Sequence, residues 1–353
     1  MAGRNHHYVP QLLQKGFSAR KTKKGVHQVW FYQNGREPFL TGTRNILAEK
    51  DFYGPPPTPL VDQLITDAEV HRFDELVNDL RSSIGTRFIG QSDVVSEFVH
   101  QVSIRVRWIR SLFETGGKKI LSRANDALSN KTSAGRLLGR QIKAEPGWLE
   151  EILTSEAEKK LGRGLSREER GTLSSMVSVI AADPGRMLEH IDLSPMLRMV
   201  NELHALLTAH TQAGHIKGLE RSLGQSESEF RSFMQRLHWS VVSSKTSGFI
   251  LGDCGPLHIG PQGSLLGPMG VAKHDEVTGV ILPISTSQVI VGAKSRSPAI
   301  PAVSDLNHAS AAWSSDAFIA NADTPQYREL QLLITSEIDS FLESQIAPAF
   351  SEE

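Results

Sequence analysis

The segment His27-Gln28-Val29-Trp30-Phe31-Tyr32, followed by Asn34-Gly35, predicts a β-hairpin close to the start of this chain. Aromatic and β-branched residues favour a strand, and Asn-Gly is the strongest short signal for a two-residue hairpin turn. The returning strand would run near residues 37–41, where Pro38 confines it to a sheet edge. Residues 1–59 are therefore expected to be strand and loop.

The pattern changes at Leu60, and residues 60–236 have helical spacing. One apolar helix face is formed by Leu60, Leu64, Ala68, Phe73, Leu76 and Leu80. A second, longer helix is indicated by Val94, Phe98, Val102, Val106, Ile109 and Phe113. Further helical windows lie near 119–142, 147–162, 166–181 and 195–212.

Short runs of β-branched residues, separated by Gly, Pro and Ser, make residues 237–300 β-rich. Residues 301–353 are expected to be helical, with windows near 303–322 and 325–345. Strands at both ends of a large helical region predict an α+β fold in which the N-terminal hairpin and the β-rich segment share one sheet. We expect residues 1–353 to form a single domain.

Composition excludes several classes of protein. With 353 residues, 39% of them hydrophobic, and a net charge of −1, the chain is neither a disordered segment nor a general polycation. Its single cysteine, Cys254, excludes an internal disulfide and a zinc site with several cysteines. No window approaches the ~18 apolar residues of a membrane span. A cytoplasmic protein without a membrane segment is expected, and a homo-oligomer formed through the long apolar helix is one open possibility.

The most unusual segment is Asn5-His6-His7-Tyr8-Val9-Pro10-Gln11. In an extended strand His6 and His7 point to opposite faces, so one can face a site while the other makes a structural hydrogen bond. An imidazole with a pKa of about 6.5 suits proton transfer or metal ligation near neutral pH. The alternative is a structural clasp in which both rings are hydrogen-bonded.

Three further features carry charged side chains. In the second helix, Arg105 and Arg110 flank the apolar face and need an acidic partner or an anionic ligand, whereas Arg107 is expected in solvent. A structural salt bridge is favoured for Arg105. The turn after residues 248–252 contains Asp253, which either serves a site or simply forms the turn. A basic cluster at residues 15–24 is interpreted as a solvated loop, although it could meet a phosphate backbone.

Together, these features resemble a bacterial family catalogued as domain of unknown function 4238. The resemblance is carried by His6–Leu13 with Gly16-Phe17, Val29-Trp30, Lys50–Tyr53, the acidic helix around Glu69, Gln101 with Arg105, Phe249–Pro256 and Leu282–Ser285. Where the family tends to show Ser-Asp-Asn-Pro, this chain reads Gly252-Asp253-Cys254-Gly255-Pro256. The aspartate persists, but one extra residue alters the turn. The resemblance implies an architecture and a set of residues, but no reaction.

Two functions are compatible with this sequence. The first is a hydrolase, a phosphodiesterase or nuclease acting as a bacterial toxin or defence effector on a nucleic acid or nucleotide. In it, His6 or His7 would be the general base or a metal ligand, Glu69 and Asp253 would be carboxylate ligands or orienters of a possible divalent metal, and Arg105 would hold a phosphate oxygen. The second is a non-catalytic module that senses a ligand or partner, with the clasp as a structural element.

Overall fold

The computed structural model describes residues 5–54, 60–145, 147–189, 191–224, 228–245, 248–268, 276–296 and 300–350. It is 59% helical and 17% strand, and all strand pairs are antiparallel, so the predicted α+β class is confirmed. The strands are β1 Asn5–His7, β2 Arg20–Lys21, β3 His27–Gln33, β4 Phe39–Gly42, β5 Ala48–Lys50, β6 Thr86–Gly90, β7 His238–Ser243, β8 Leu251–Gly252, β9 Leu257–Ile259, β10 Leu265–Pro268, β11 Gly279–Ser285, β12 Gln288–Ala293 and β13 Ala317–Ala320.

The helices alternate with these strands. They are α1 Gln11–Gln14, α2 Leu60–Ala68, α3 Asp74–Arg81, α4 Asp93–Arg105, α5 Arg107–Ser129, α6 Lys131–Ala144, α7 Trp148–Leu161, α8 Arg167–Ala182, α9 Pro184–Glu189, α10 Ser194–Gly224, α11 Glu229–Gln235, α12 Val303–Ala312, α13 Pro325–Gln331 and α14 Ser336–Phe350. Between α2 and α3 the chain continues as a π-helix, Glu69–Phe73. In the described part of the chain no helix has the length and apolar character to cross a membrane.

By its internal contacts the chain divides into two compact units. Unit 1 consists of residues 1–113 and 209–343, and unit 2 of residues 114–208 and 344–353. Whether they make up the single domain expected from the sequence stays a prediction.

Unit 1 contains the sheets. One has six strands in the order β10-β9-β11-β12-β7-β6, and another has the order β2-β3-β13-β8 with β4 added to β3. The N-terminal hairpin therefore shares a sheet with β8, as expected, but most strands of the β-rich segment belong to the other sheet. Every residue of β11 and β12 is buried. These two strands are covered on both faces, which fits their continuous runs of Val and Ile.

The structure differs from the expected elements in three places. The region 60–236 contains the strand β6, and the expected helix at 303–322 ends at Ala312 and is followed by β13. The expected long helix over 94–113 is interrupted at Val106, whose φ of −63° and ψ of 141° are extended. Val106 is 1% exposed and lies close to Gly255, so packing fixes the break. The apolar side of α4 is buried within unit 1.

In the described residues of unit 2, helices joined by short loops are the regular structure present. Two small apolar clusters hold it together, one around Ala134, Leu188 and Leu193, the other around Ile142, Leu149 and Val177. Its helices begin at clear capping signals, because Asn130 accepts backbone N–H bonds at the start of α6 and Ser166 forms a capping box with Glu169 at α8.

Candidate functional site

The N-terminal motif is held as the strand β1, which pairs with β5 so that His6 lies opposite Glu49. Both ends of β5 are marked by non-glycine residues in the left-handed region, Leu47 with φ 50° and Asp51 with φ 54°. Such conformations persist only where surrounding contacts enforce them, and they cluster at functional sites. One of these contacts is the bond from the Tyr8 N–H to the Leu47 carbonyl, 3.0 Å long.

His6 is buried and engaged at both ring nitrogens. The backbone N–H of Tyr53 donates to its Nδ1 at 3.2 Å, and its Nε2 lies 3.6 Å from the Asp62 carboxylate. Because Nδ1 accepts a hydrogen bond, the ring proton resides on Nε2 and faces the carboxylate. The ring also stacks on Tyr53 with centroids 5.0 Å apart. His6 thus anchors β1 to the segment after β5.

His7 points the other way and is only half-buried. Its Nε2 lies 3.1 Å from the Thr43 carbonyl, so Nε2 carries the proton and Nδ1 is left as the basic atom. Burial lowers the pKa of His7 below 6.5, against the opposing effects of the Thr43 bond and the Glu69 charge. The ring is therefore neutral near pH 7 and able to accept a proton.

A buried ion pair lies beneath His7. Arg105 is 3% exposed, and its Nη2 lies 2.5 Å from Glu69 Oε1. The same Nη2 donates to the His7 carbonyl at 3.0 Å, and the Tyr53 hydroxyl donates to that oxygen at 2.9 Å. Glu69 opens the π-helix between α2 and α3, a type of segment often found at functional sites. The structural salt bridge expected for Arg105 is present.

The Asp253 charge acts on Tyr8 and Arg107, but the hydrogen bonds of its carboxylate serve a turn. Its carboxylate accepts bonds from the backbone N–H groups of Ser315, Asp316 and Ala317, and from the Ser315 hydroxyl, at 2.6 to 3.2 Å. Burial, assisted by the negative charge of Asp316, raises its pKa to about 6 despite these bonds. The side chain holds the turn between α12 and β13. Of the five predicted residues, His6, His7, Glu69 and Arg105 form one bonded network, and the described bonds of Asp253 do not reach it.

Two arginines lie beside this network, of which Arg107 was misjudged from the sequence and Arg110 has the acidic partner that its position required. Arg107, expected in solvent, is 36% exposed and lies 3.6 Å from Glu49 and 3.8 Å from Asp316. Arg110 is 8% exposed, pairs with the same Glu49 and stacks over Phe52. The break at Val106 rotates both arginines away from the faces of a continuous helix. The spacing of arginines at 105, 107 and 110 was a signal, but their carboxylate partners were not visible in the pattern.

Among the described residues, some N–H donors of these three arginines make no hydrogen bond. Within the described residues, the buried atoms Arg105 Nε, Arg107 Nε and Arg110 Nη1 have no hydrogen-bond partner. Buried N–H groups without partners are uncommon and call for a water or a ligand. Also within those residues, no three His, Cys, Asp or Glu side chains are placed to hold a metal ion.

The basic cluster at 15–24 lies around β2, where Lys15 is 3.7 Å from Asp74 and Arg20 donates to Gln28.

The site is thus a charge-paired network around an N-terminal strand on an α+β scaffold. A family model described as protein of unknown function, DUF4238, matches residues 5–324, and the chain belongs to this family. The match begins at the first residue of β1 and extends to the N-cap of α13. Neither the curated proteins nor the solved structures contain a significant match.

Proposed function

We propose that this protein is a hydrolase of phosphodiester bonds in which His7 is the general base. The observation that carries the proposal is the state of His7: a half-buried, neutral imidazole whose tautomer is fixed by the Thr43 carbonyl. A general base needs this combination of access, orientation and a pKa near or below the working pH. The role proposed with this chemistry is that of a bacterial toxin or defence effector.

In this proposal His7 Nδ1 takes the proton of the attacking hydroxyl or water. Arg107, the most exposed of the three arginines, faces the phosphate charge, because a guanidinium matches two phosphate oxygens. Arg105, at 3% exposure, is a positioning residue that holds His7 through its carbonyl. His6 positions the strand, and Glu69 orients Arg105 rather than a metal.

A second candidate is a sensing module without catalysis, in which the N-terminal strand is a clasp. The specific observation in its favour is the mutual pairing of His6 with Tyr53 and of Glu69 with Arg105. Groups held in such pairs specify a structure and are not free for chemistry.

An assay on RNA, single-stranded DNA and duplex DNA, with Mg²⁺, Mn²⁺, Zn²⁺ or EDTA, separates the two candidates. For the hydrolase, His7→Ala should lower cleavage about 10²- to 10⁴-fold in a protein that remains folded, although its urea midpoint should fall somewhat because the Thr43 carbonyl loses its donor. The matched control is His204→Ala, an exposed histidine on α10, which should cleave like the wild type.

The pH dependence gives an independent test. Because the pKa of His7 is lowered, its base form is already complete near pH 7, so the cleavage rate should rise with pH through a value below 6.5 and then stay level. If the wild type cleaves none of the substrates, and His6→Ala lowers the unfolding midpoint, the clasp is supported instead. If His7→Ala cleaves at the wild-type rate, His7 is not the base.

A further inference from the structure

A cavity of about 570 Å³ in unit 1 lies between the segment that begins β10 and the helices α12 and α14. One part of its lining is formed by residues 263–266, which lead into β10. Another part consists of side chains from α12 and from the start of α14, namely Ser304, Asp305, His308 and Glu337. We call this cavity the acidic cleft.

The lining of the acidic cleft contains two exposed carboxylates and neither lysine nor arginine. Asp305 accepts a bond from the neighbouring Ser304 hydroxyl at 3.3 Å, and neither Asp305 nor Glu337 forms an ion pair with a described residue. Each lies in the first turn of its helix, where the helix dipole favours a negative charge. The dipoles stabilise the two carboxylates but leave them without a counter-ion in one cavity.

Trp313 also lines the acidic cleft and is held firmly by its neighbours. It is 7% exposed, and its ring contacts those of Trp108 and Phe341, with centroids 6.2 and 6.3 Å away. A Cβ at position 267 would lie 2.7 Å from the Trp313 ring, and the φ of Gly267 is +88°, so glycine is required where β10 passes the ring. The orientation of the indole is therefore set by the fold.

The indole N–H of Trp313 is an unused donor. It donates to no described residue, although its Nε1 atom is not completely enclosed. The polar group of a tryptophan buried this deeply usually has an acceptor. Because Trp313 lines the acidic cleft, the N–H is available there to an acceptor on a ligand.

The strand β10 contributes backbone to the same cavity. It is the outermost strand of its six-stranded sheet, and no described strand pairs with its other edge. Four consecutive residues, 263–266, line the acidic cleft, so this wall includes backbone and not only the side chains of one face. The free N–H and C=O groups of an edge strand can pair with an extended peptide. Pro268 at the end of β10 limits such pairing to the residues before it.

We propose that the acidic cleft binds an extended peptide that carries lysine or arginine. The peptide backbone would lie along residues 263–266, a cationic side chain would meet Asp305 and Glu337, and a peptide carbonyl would accept from the Trp313 N–H. A simple polyamine has the cations but no acceptor for the indole, and a neutral peptide has the acceptor but no cation. The site goes beyond the proposed hydrolase and does not depend on it.

Binding can be measured by fluorescence anisotropy of the full chain with a labelled peptide of alternating arginine and alanine. In an extended strand all arginines of this peptide point to one face. The wild type should bind it saturably at low salt, and should bind the corresponding glutamine peptide at least about 10-fold more weakly.

Removing the two carboxylates tests the charge. Asp305→Asn/Glu337→Gln should weaken binding of the arginine peptide by at least about 10-fold and make the affinity less dependent on salt. The matched control is Asp67→Asn/Glu75→Gln, which removes the same two charges from exposed residues of unit 1 outside the acidic cleft. This control should bind like the wild type.

The indole provides a test that a general charge effect would not pass. Trp313→Phe keeps an aromatic ring but removes the donor, so it should weaken binding about 2- to 10-fold with an unchanged salt dependence. Urea unfolding shows whether this variant is folded. In the wild type, the assigned indole ¹H–¹⁵N resonance of Trp313 should shift on titration with the arginine peptide and stay in place with spermidine, which has no acceptor carbonyl.

Three outcomes would overturn the proposal. The first is a wild-type protein that does not bind the arginine peptide at low salt. The second is a control variant that loses as much affinity as Asp305→Asn/Glu337→Gln. The third is an indole resonance of Trp313 that the peptide does not move, together with wild-type affinity in Trp313→Phe. A protein that binds the peptide but cleaves no nucleic acid would contradict only the hydrolase.

Discussion

The two units differ in how deeply their described ion pairs are buried. Besides exposed pairs, unit 1 contains buried ion pairs and polar bonds that join distant parts of the chain: Arg105 meets Glu69, Asp253 caps a turn 62 residues away, and Arg81 donates to Ile284 across 203 residues. In unit 2, several of the described ion pairs are exposed and local, as between Lys118 and Glu114 on one helix turn or between Arg163 and Glu169. The buried pairs help to specify the fold of unit 1, whereas the described pairs of unit 2 lie at the surface.

This difference has an energetic basis. Removing one partner of a buried pair leaves an uncompensated charge in a medium that solvates it poorly, whereas the partner of an exposed pair returns to water. The changes in unfolding free energy should thus differ most between the two units for substitutions that break an ion pair. They should differ less for substitutions that change packing or backbone freedom.

The largest effect is expected for Arg105→Ala. It leaves the Glu69 carboxylate and the His7 carbonyl without their shared donor, so the free energy of unfolding should fall by about 3–5 kcal/mol. Arg163→Ala, which breaks the exposed pair with Glu169 in unit 2, is the matched control and should cause no measurable change. Urea unfolding followed by circular dichroism measures both. Equal losses in the two variants would remove the distinction between the units.

The second-largest effect is a pH dependence of the unfolding free energy that is caused by Asp253. Its pKa in the folded protein, about 6, lies above the ordinary 3.8, so between these values the folded protein keeps a proton that the unfolded chain loses. The resulting stabilisation is present below pH 3.8 and is lost as the pH rises through 6, by roughly 3 kcal/mol in total. Asp253→Asn cannot titrate.

The free energy of unfolding of the wild type, relative to that of Asp253→Asn, should therefore fall between pH 4 and pH 7. Urea unfolding at both pH values measures it. A difference that is the same at both would show that the pKa of Asp253 is not raised in the folded protein.

A smaller loss of unfolding free energy is expected for Gly16→Ala, which changes the glycine that precedes Phe17. A methyl group there would collide with the Ile284 carbonyl and the Arg81 guanidinium, which itself donates to the carbonyls of Ile284 and Leu13. Forcing this contact apart should cost about 1–3 kcal/mol, measured by the shift of the urea midpoint. A midpoint equal to that of the wild type would mean that the chain around Gly16 can move aside.

The same contrast explains what the sequence could predict. Helical spacing is a local property, so the helical segments at 60–81, 148–161 and 167–182 were expected close to where they occur, whereas the expected window 119–142 is divided at Asn130 between α5 and α6. Ala317–Ala320 fell within the helical window expected at 303–322, but it forms β13 between β3 and β8, which come from distant parts of the chain. Tertiary pairing overrides local preference there. The strand β6, within the expected helical region, depends in the same way on β7.

The candidate site follows the same rule. The residue types of the N-terminal motif singled out His6 and His7, and the helix pattern singled out Arg105 as a residue in need of a partner. The pairing of Arg105 with Glu69, and of Arg107 and Arg110 with Glu49, joins elements that only the folded chain brings together. Asp253 was equally compatible with a site or a turn, and it caps a turn in another part of the sequence.

The smallest change in unfolding free energy is expected in unit 2, where the substitution should stabilise the protein. Gly171 lies in the exposed interior of α8, and a methyl group there would meet no atom within 4 Å. Alanine restricts the unfolded chain more than glycine and costs nothing in the helix, so Gly171→Ala should raise the free energy of unfolding by up to about 1 kcal/mol. Urea unfolding beside Gly16→Ala measures the contrast, because the same substitution should stabilise one unit and destabilise the other. A loss of stability in Gly171→Ala would show that α8 has neighbours at this position that the open surface does not predict.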